Sequence, residues 1–179
     1  MERYRLVHEL FEGGESRELV RELLQRGDAA AVLPYDPEND CVVLVEQFRI
    51  GAINDPHGPW LVETIAGMVE EGEPVDELVR REAIEEADCS LTELVPICDY
   101  YCSPGGSSEK IHLFCARTDS TGLGGVYGCA DEGEDIKVHI IPFERLRQML
   151  ADNKINTAMT LIAVQWLMLN RDKLRQNWL

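Results

Sequence analysis

No pair of cysteines in this chain has the two-residue spacing of a metal or redox motif. Cys41, Cys89, Cys98, Cys102, Cys115 and Cys129 are scattered, and His8, His57, His112 and His139 do not cluster beside them. A zinc centre is therefore not expected. Several of the cysteines lie in apolar runs, where a free thiol acts as a small core residue, and this reads as a protein of a reducing cytoplasm. Also missing are an N-terminal apolar segment of the signal-peptide kind and an apolar run long enough to span a bilayer. The longest candidate, Ala158 to Leu169, is interrupted by Thr160 and Gln165. Bases are scarce: 17 Lys and Arg stand against 33 Asp and Glu, for a net charge of −16. Such a surface repels phosphate backbones, which argues against nucleic acid as a partner. The same balance suits a protein that holds divalent cations, although acidity also serves solubility alone.

What is present fits one compact domain with a short appendage: 179 residues, of which 45% are hydrophobic, enough to build a core without disulfides. Tyr4–Phe11 reads as one strand of an opening hairpin that turns at Gly13-Gly14. Ala29–Pro34 and Cys41–Phe48 read as strands joined by the turn-rich Asp36–Asp40. A loop over Ile50–Pro59 precedes a short strand, Trp60–Ile65, that ends at Ala66-Gly67. Pro74 suits the first turn of a helix over Val75–Ala87. Leu94–Tyr101, Ile111–Ala116 and Ile136–Ile141 are further strands, and Thr118–Gly133 is polar and glycine-rich, hence a loop. Phe143–Ala151 and a segment from Thr157 onward are helices. The expected fold is α/β (α+β), a mixed sheet sandwiched between helices. Residues 1–28 form an N-terminal segment and residues 29–179 the main domain.

The helix over Val75–Ala87 carries the chemical signal. At about 100° per residue, Val75, Leu78, Val79 and Ala83 make an apolar stripe, with Glu82 and Glu86 in its middle and Glu77 and Arg80 on the far side. Like charges one turn apart oppose a helix by roughly 0.2–0.5 kcal/mol, and desolvating them costs more. A hard divalent cation with oxygen ligands is the natural compensation. Glu85 flanks the same face, and Arg81 can reach it at the next turn. A solvated acidic face is the commoner reading of an isolated ExxEE pattern. Here the acids fall inside the apolar stripe, and an acidic, glycine-containing loop precedes the helix.

From Gly67 through Cys89 the chain reads GMVEEGEPVDELVRREAIEEADC. This resembles the Nudix box, Gx5Ex7REUxEExGU with U an aliphatic residue, with Gly67, Glu73, Arg81, Glu82, Glu85 and Glu86 in register. Asp88 replaces the usual late glycine, and Asp tolerates the left-handed conformation needed there better than most residues. Pro104, within Ser103-Pro104-Gly105-Gly106, lies where ADP-ribose pyrophosphatases of the Nudix superfamily carry a distinguishing proline. Glu46-Gln47-Phe48-Arg49 resembles a strand of the same subfamily, and Ala130 to Asp135 resembles its acidic loop.

The resemblance implies Mg²⁺-dependent hydrolysis of ADP-ribose, or a related nucleoside diphosphate sugar, to AMP and ribose 5-phosphate. It implies two or more Mg²⁺ ions, with Mn²⁺ as an alternative. Glu82, Glu85, Glu86, the Ala66 carbonyl and Glu134 are the implied ligands. Glu132 is the first choice of base and Glu134 the second. Arg81 orients Glu85, and Glu73 anchors the box loop. Arg49 is an implied phosphate clamp. Arg21, Ser103 and Gly105 are candidate substrate contacts, and Glu109 is a candidate for the terminal ribose. A homodimer is expected, with residues 1–28 as a dimerisation arm. Relatives usually begin with further strands that complete the adenosine pocket, so with the start at Met1 either the arm is shortened or that wall is built differently. A broader nucleoside diphosphate sugar hydrolase and a non-catalytic nucleotide-binding regulator remain as alternatives.

Overall fold

The computed structural model describes residues 1–129 and 133–179. A hairpin comes first: β1 (Glu2–Leu6) pairs antiparallel with β2 (Leu19–Leu23) as a two-stranded sheet of its own. The chain reverses over Gly13 and Gly14, where Leu10 N donates to Gly14 O at 3.0 Å. The strand expected over Tyr4–Phe11 is thus displaced to Glu2–Leu6, because residues 7–11 leave the ladder and approach the turn, joined again at the Glu9↔Glu15 bridge and by His8 N donating to Ser16 Oγ. The register sets Tyr4 opposite Arg21 and Leu6 opposite Leu19. Since opposed residues share a face, Tyr4, Leu6, Leu19, Arg21 and Leu23 lie together on one side of this arm.

The main sheet grows from a fork. β3 (Ala29–Asp36) is buried along its whole length, as a strand covered on both faces must be. It turns back into β4 (Cys41–Phe48), but the two pair only at Tyr35↔Val42 and Asp36↔Cys41 before diverging. Asp36 holds the turn by accepting from the backbone N of Glu38 at 2.9 Å and of Asn39 at 3.0 Å. Two short strands occupy the opening: β5 (Trp60–Glu63) pairs with β4, and β6 (Ile65–Met68) pairs with β3. The single strand expected over Trp60–Ile65 is therefore two, broken at the buried Thr64, where the chain crosses from one side of the fork to the other.

Beyond β3 lie β8 (Lys110–Arg117), parallel to it, and then β7 (Leu94–Tyr101). Beyond β4 lie β10 (Ile136–Pro142) and β9 (Gly125–Tyr127). β9 falls inside the stretch expected to be loop; it has three residues and takes its order from pairing with β10.

Alternation along β3 and β4 divides the core. Leu33, Tyr35, Val42 and Leu44 face α2 (Phe143–Ala151) and α3 (Ala158–Trp178), meeting Leu146, Val164, Leu167 and Trp178. Ala30, Val32, Val43 and Val45 face α1 (Val75–Ala87), meeting Leu78, Val79 and Ala83. The expected α/β layering, a mixed sheet between helices, is what forms.

Candidate active site

α1 begins with Pro74 in an extended conformation at the N-cap, one position earlier than the sequence suggests. Asp76 and Glu77 complement the positive end of the helix in its first turn. At the far end Asp88 adopts the left-handed conformation at φ 50°, and the N–H groups of Asp88 and Cys89 return to the carbonyls of Ile84 and Ala83 at 2.9 Å. The late glycine's task is thus done by an aspartate. Arg80 is not free on the solvent side: its guanidinium donates to the carbonyls of Leu91 at 2.6 Å and Thr92 at 3.0 Å. These two bonds tie the chain leaving the helix back to it.

With Leu78, Val79 and Ala83 against the sheet, Glu86 is carried into the interior and is only 4% exposed. Among the described residues its one hydrogen bond is a long donation from Ala66 N, at 3.4 Å. Burial, reinforced by the nearby charges of Glu82 and Glu134, pushes its carboxyl up to about 8; the Ala66 N–H and Arg49 oppose this only in part. Glu82 shifts in the same direction, again through burial, with Arg81 opposing. These are carboxylates without adequate protein compensation.

Arg81 gathers the remaining acids. Its Nε donates to Glu73 at 3.1 Å, and its Nη1 lies 3.0 Å from Glu82 and 2.8 Å from Glu85. Glu73 also accepts from Glu70 N at 3.4 Å, closing the acidic turn onto the helix. Gly67 is fitted against the same group: a Cβ there would stand 2.7 Å from Glu82 Cγ and would overlap its carboxylate. Glycine is therefore a requirement of space at this position.

Gly67, Arg81, Glu82, Glu85 and Glu86 line a cleft of about 580 Å³ between α1, β6, the end of β4 and the residues Gly128, Cys129 and Glu134. All five implied metal ligands, Ala66, Glu82, Glu85, Glu86 and Glu134, border it. Glu134 is held across the opening by Cys129 N at 3.0 Å. Gly128 lets the backbone approach it, at φ 108° and with a would-be Cβ 2.7 Å from Glu134 Cβ. Gln47, Met68 and Glu70 border the cleft as well. Glu132 lies outside the described residues.

Arg49 stands at the end of β4, where it borders this cleft and a second one of about 710 Å³. Glu109 borders the second cleft and pairs with Arg26 at 2.7 Å. Ser103 and Gly105 form a tight turn, with Gly106 N donating to Ser103 O at 3.0 Å, and they border neither cleft. Their loop instead receives the chain leaving the hairpin, through Leu24 N to Gly106 O at 2.8 Å and Arg26 N to Ser108 Oγ at 3.1 Å. Arg21 is on the arm, exposed, and likewise borders neither cleft within one chain.

The donors suit a hard divalent cation in kind: a buried carboxylate and a half-buried one, both oxygen ligands, with their charge largely uncompensated. Among the described residues, however, no trio of His, Cys, Asp or Glu side chains is already gathered as a metal centre. Arg81 explains this, since it is the cation toward which Glu82 and Glu85 are turned.

The carboxylate-bearing helix laid over a forked mixed sheet, with Arg49 and Arg81 lining the cleft, accords with the layered mixed sheet expected of the Nudix family. The chain belongs to that family: the NUDIX domain model matches residues 25–161. It is 45% identical over 175 residues to the ADP-ribose pyrophosphatase of Escherichia coli (strain K12), covering 98% of this chain and 84% of that one. Against the ADP-ribose pyrophosphatase of Haemophilus influenzae it is 45% identical over 181 residues, covering 99% and 83%. The GDP-mannose pyrophosphatase of Klebsiella pneumoniae is 36% identical over 152 residues, covering 82% and 74%. A solved structure described as an ADP compounds hydrolase superposes with a TM-score of 0.69 at 19% identity, covering 98% of this chain and 87% of that one. At that identity the likeness is one of fold.

Proposed function

We propose that this protein hydrolyses the pyrophosphate of ADP-ribose to AMP and ribose 5-phosphate with Mg²⁺. The observation that carries the reading is Glu86: a carboxylate 4% exposed, beside Glu82, on the wall of an open cleft that Arg49 also lines. A site that stabilised the fold alone would bury an aliphatic residue there, because an unpaired buried charge costs stability. The names of the relatives supply the substrate class, since those 45% identical over nearly the whole chain are ADP-ribose pyrophosphatases.

Glu82, Glu86 and the Ala66 carbonyl would hold the ions, with Glu85 and Glu134 as further ligands. When bound, Mg²⁺ neutralises the phosphoryl oxygens and acidifies a water. Arg49, whose Nε donates to Glu63 at 2.7 Å, binds the pyrophosphate through its two terminal nitrogens. Arg81 keeps Glu82 and Glu85 on the cleft side of α1 and, with Glu73, fixes the acidic turn. A carboxylate among residues 130–135 takes the proton from the attacking water; Glu132 is first by resemblance and Glu134 second. The water oxygen bonds to phosphorus and one bridging P–O bond breaks, leaving a phosphate on each product. Glu109 meets the terminal ribose in the second cleft.

The arm supports a homodimer. An isolated two-stranded hairpin is marginal in water, and this one leaves Tyr4, Leu6, Val7, Leu10, Phe11 and Val20 exposed. A second copy covers that surface and brings Arg21, Ser103 and Gly105 to a shared substrate site. Residues 1–28 are then the arm and residues 29–179 the hydrolase domain. No described helix is long and apolar enough to cross a membrane. Three of the six free cysteines are buried as small core residues, which suits a reducing cytoplasm.

The GDP-mannose pyrophosphatases among the relatives favour a second reading, a broader nucleoside diphosphate sugar hydrolase. Product analysis after incubation with ADP-ribose, ADP-glucose and GDP-mannose in Mg²⁺, with Glu86→Gln as control, decides. AMP and ribose 5-phosphate formed fastest from ADP-ribose support the first reading. Equal rates across the panel favour the second, and no products from any of the three would exclude both.

A further inference from the structure

Glu63 ends β5 inside an apolar strand, Trp-Leu-Val-Glu, and is 4% exposed. A carboxylate so placed needs a partner, and among the described residues the one it has is Arg49, whose Nε donates to Glu63 Oε2 at 2.7 Å. The two residues sit on neighbouring strands of the fork. The β4–β5 ladder pairs Phe48 with Trp60 and Val45 with Glu63, so Arg49 leaves β4 just beyond the last rung and its side chain folds back along β5. Engagement through Nε is the informative detail. A guanidinium held by its Nε keeps both terminal nitrogens, with four N–H bonds, free to point elsewhere. Arg49 borders both clefts, and its charge also reaches Glu86.

Two acids therefore compete for this arginine. Glu86 and its neighbours on α1 attract it toward the floor of the cleft, where it would neutralise the carboxylates assigned to the metal. Glu63 borders the second cleft, is buried and accepts from Arg49 Nε at 2.7 Å, so it retains the guanidinium at the boundary between the clefts. We infer that Glu63 is a positioning residue for the pyrophosphate: it holds Arg49 between the two clefts with its terminal nitrogens presented to substrate phosphate and withheld from Glu86. This rests on the reading of the cleft as a pyrophosphate site. It requires no contact between Glu63 and substrate.

The test is a double-mutant cycle on the full-length protein with Glu63→Gln, Arg49→Met and both together. Turnover of ADP-ribose is measured with Mg²⁺, and binding of its non-hydrolysable α,β-methylene analogue is measured by calorimetry. Glu63→Gln should raise KM on the order of tenfold while changing kcat by less than about threefold, since binding common to ground and transition states is what is lost. It should weaken analogue binding by the same factor. In the Arg49→Met background, Glu63→Gln should have no further effect, because Glu63 acts only through Arg49. Melting temperatures identify any variant that loses its fold, and Glu63→Asp supplies a second, charge-retaining variant for that case. Unchanged KM and analogue affinity in Glu63→Gln, or effects of the two substitutions that simply multiply, would overturn the inference. A parent protein that binds the analogue without hydrolysing ADP-ribose would sink the hydrolase reading and leave the binding cycle to decide on Glu63. A parent that does neither would overturn both.

Discussion

Gly67 and Glu82 meet so closely across the β6–α1 junction that no carbon can be added to the glycine without moving the acid. Gly67→Ala should therefore displace the Glu82 carboxylate while leaving the sheet intact, because a side-chain end yields more readily than backbone. Misplacing a ligand by about 1 Å can cost on the order of a hundredfold in rate. Steady-state turnover and thermal unfolding of the same preparation check this, and an alanine variant with undiminished turnover would refute the steric argument.

Glu86→Gln separates the chemical and structural roles of the buried acid. Turnover should fall by at least about a hundredfold, since the proposed ligand for metal chemistry worth several kcal/mol is lost. With chelator present at about pH 8, the variant should melt at a higher temperature than the parent, because a desolvated charge is gone. Added Mg²⁺ should raise the melting temperature of the parent and not of Glu86→Gln. A parent with the same melting temperature in chelator and in Mg²⁺ would contradict the assignment.

Acid stability should show the signature of Asp36. Burial alone would raise this carboxyl, but donors from Ser120 and Asn39 outweigh burial and hold it at about 2, below the ordinary 3.8. A group whose folded-state value is depressed stabilises the fold above its unfolded value, and that stability is lost as the pH falls through the folded value. For Asp36 this amounts to about 2 kcal/mol, present above about pH 5 and lost between about pH 4 and pH 2. Denaturant unfolding of the parent and Asp36→Asn should thus differ most near neutrality and converge in acid. A gap between them that persists at pH 2 would point to another cause.

The arm makes the dimer testable. Tyr4 and Leu6 share a face with Leu19 and Leu23, so replacing both with lysine should convert a dimer into monomers in sedimentation at micromolar concentration. Turnover should drop with it if the partner completes the substrate site. A parent that sediments as a monomer would rule out the arrangement.

The carboxylate cluster on α1 is legible in the sequence because its logic is local. A 3.6-residue period places Glu82 and Glu86 on the face of Leu78, Val79 and Ala83, and one helix contains all five. The Arg81–Glu85 bridge follows from the same spacing. The break at Thr64 is not legible, because nothing in Trp60–Met68 says that β3 and β4 will part and leave two strands' worth of room. β9 escapes for a similar reason, since three residues have no period and depend on β10. Glu63 did leave a signal, an acid set in an apolar strand just as Glu86 is set in an apolar stripe. Its partner is Arg49, and only the fork brings the two together. Arg80 carries no comparable sign, because its carbonyl partners lie beyond the end of the helix.

The corner at Thr64 also has a tether. Its N–H donates to Thr160 Oγ1 of α3 at 3.0 Å, and Thr157 donates to the same oxygen at 2.9 Å. One neighbour of that corner is Glu63, which holds Arg49, and a little further along come Ala66 and Gly67. At its other end α3 is clamped to the β3–β4 turn by Arg171 and Arg175 on Asp40. The closing helix is thus a strut between the hairpin turn of the fork and the point where the cleft begins. A tag, truncation or protein partner that shifts the C-terminal turns would therefore register first in how tightly substrate is held, well before the fold itself fails.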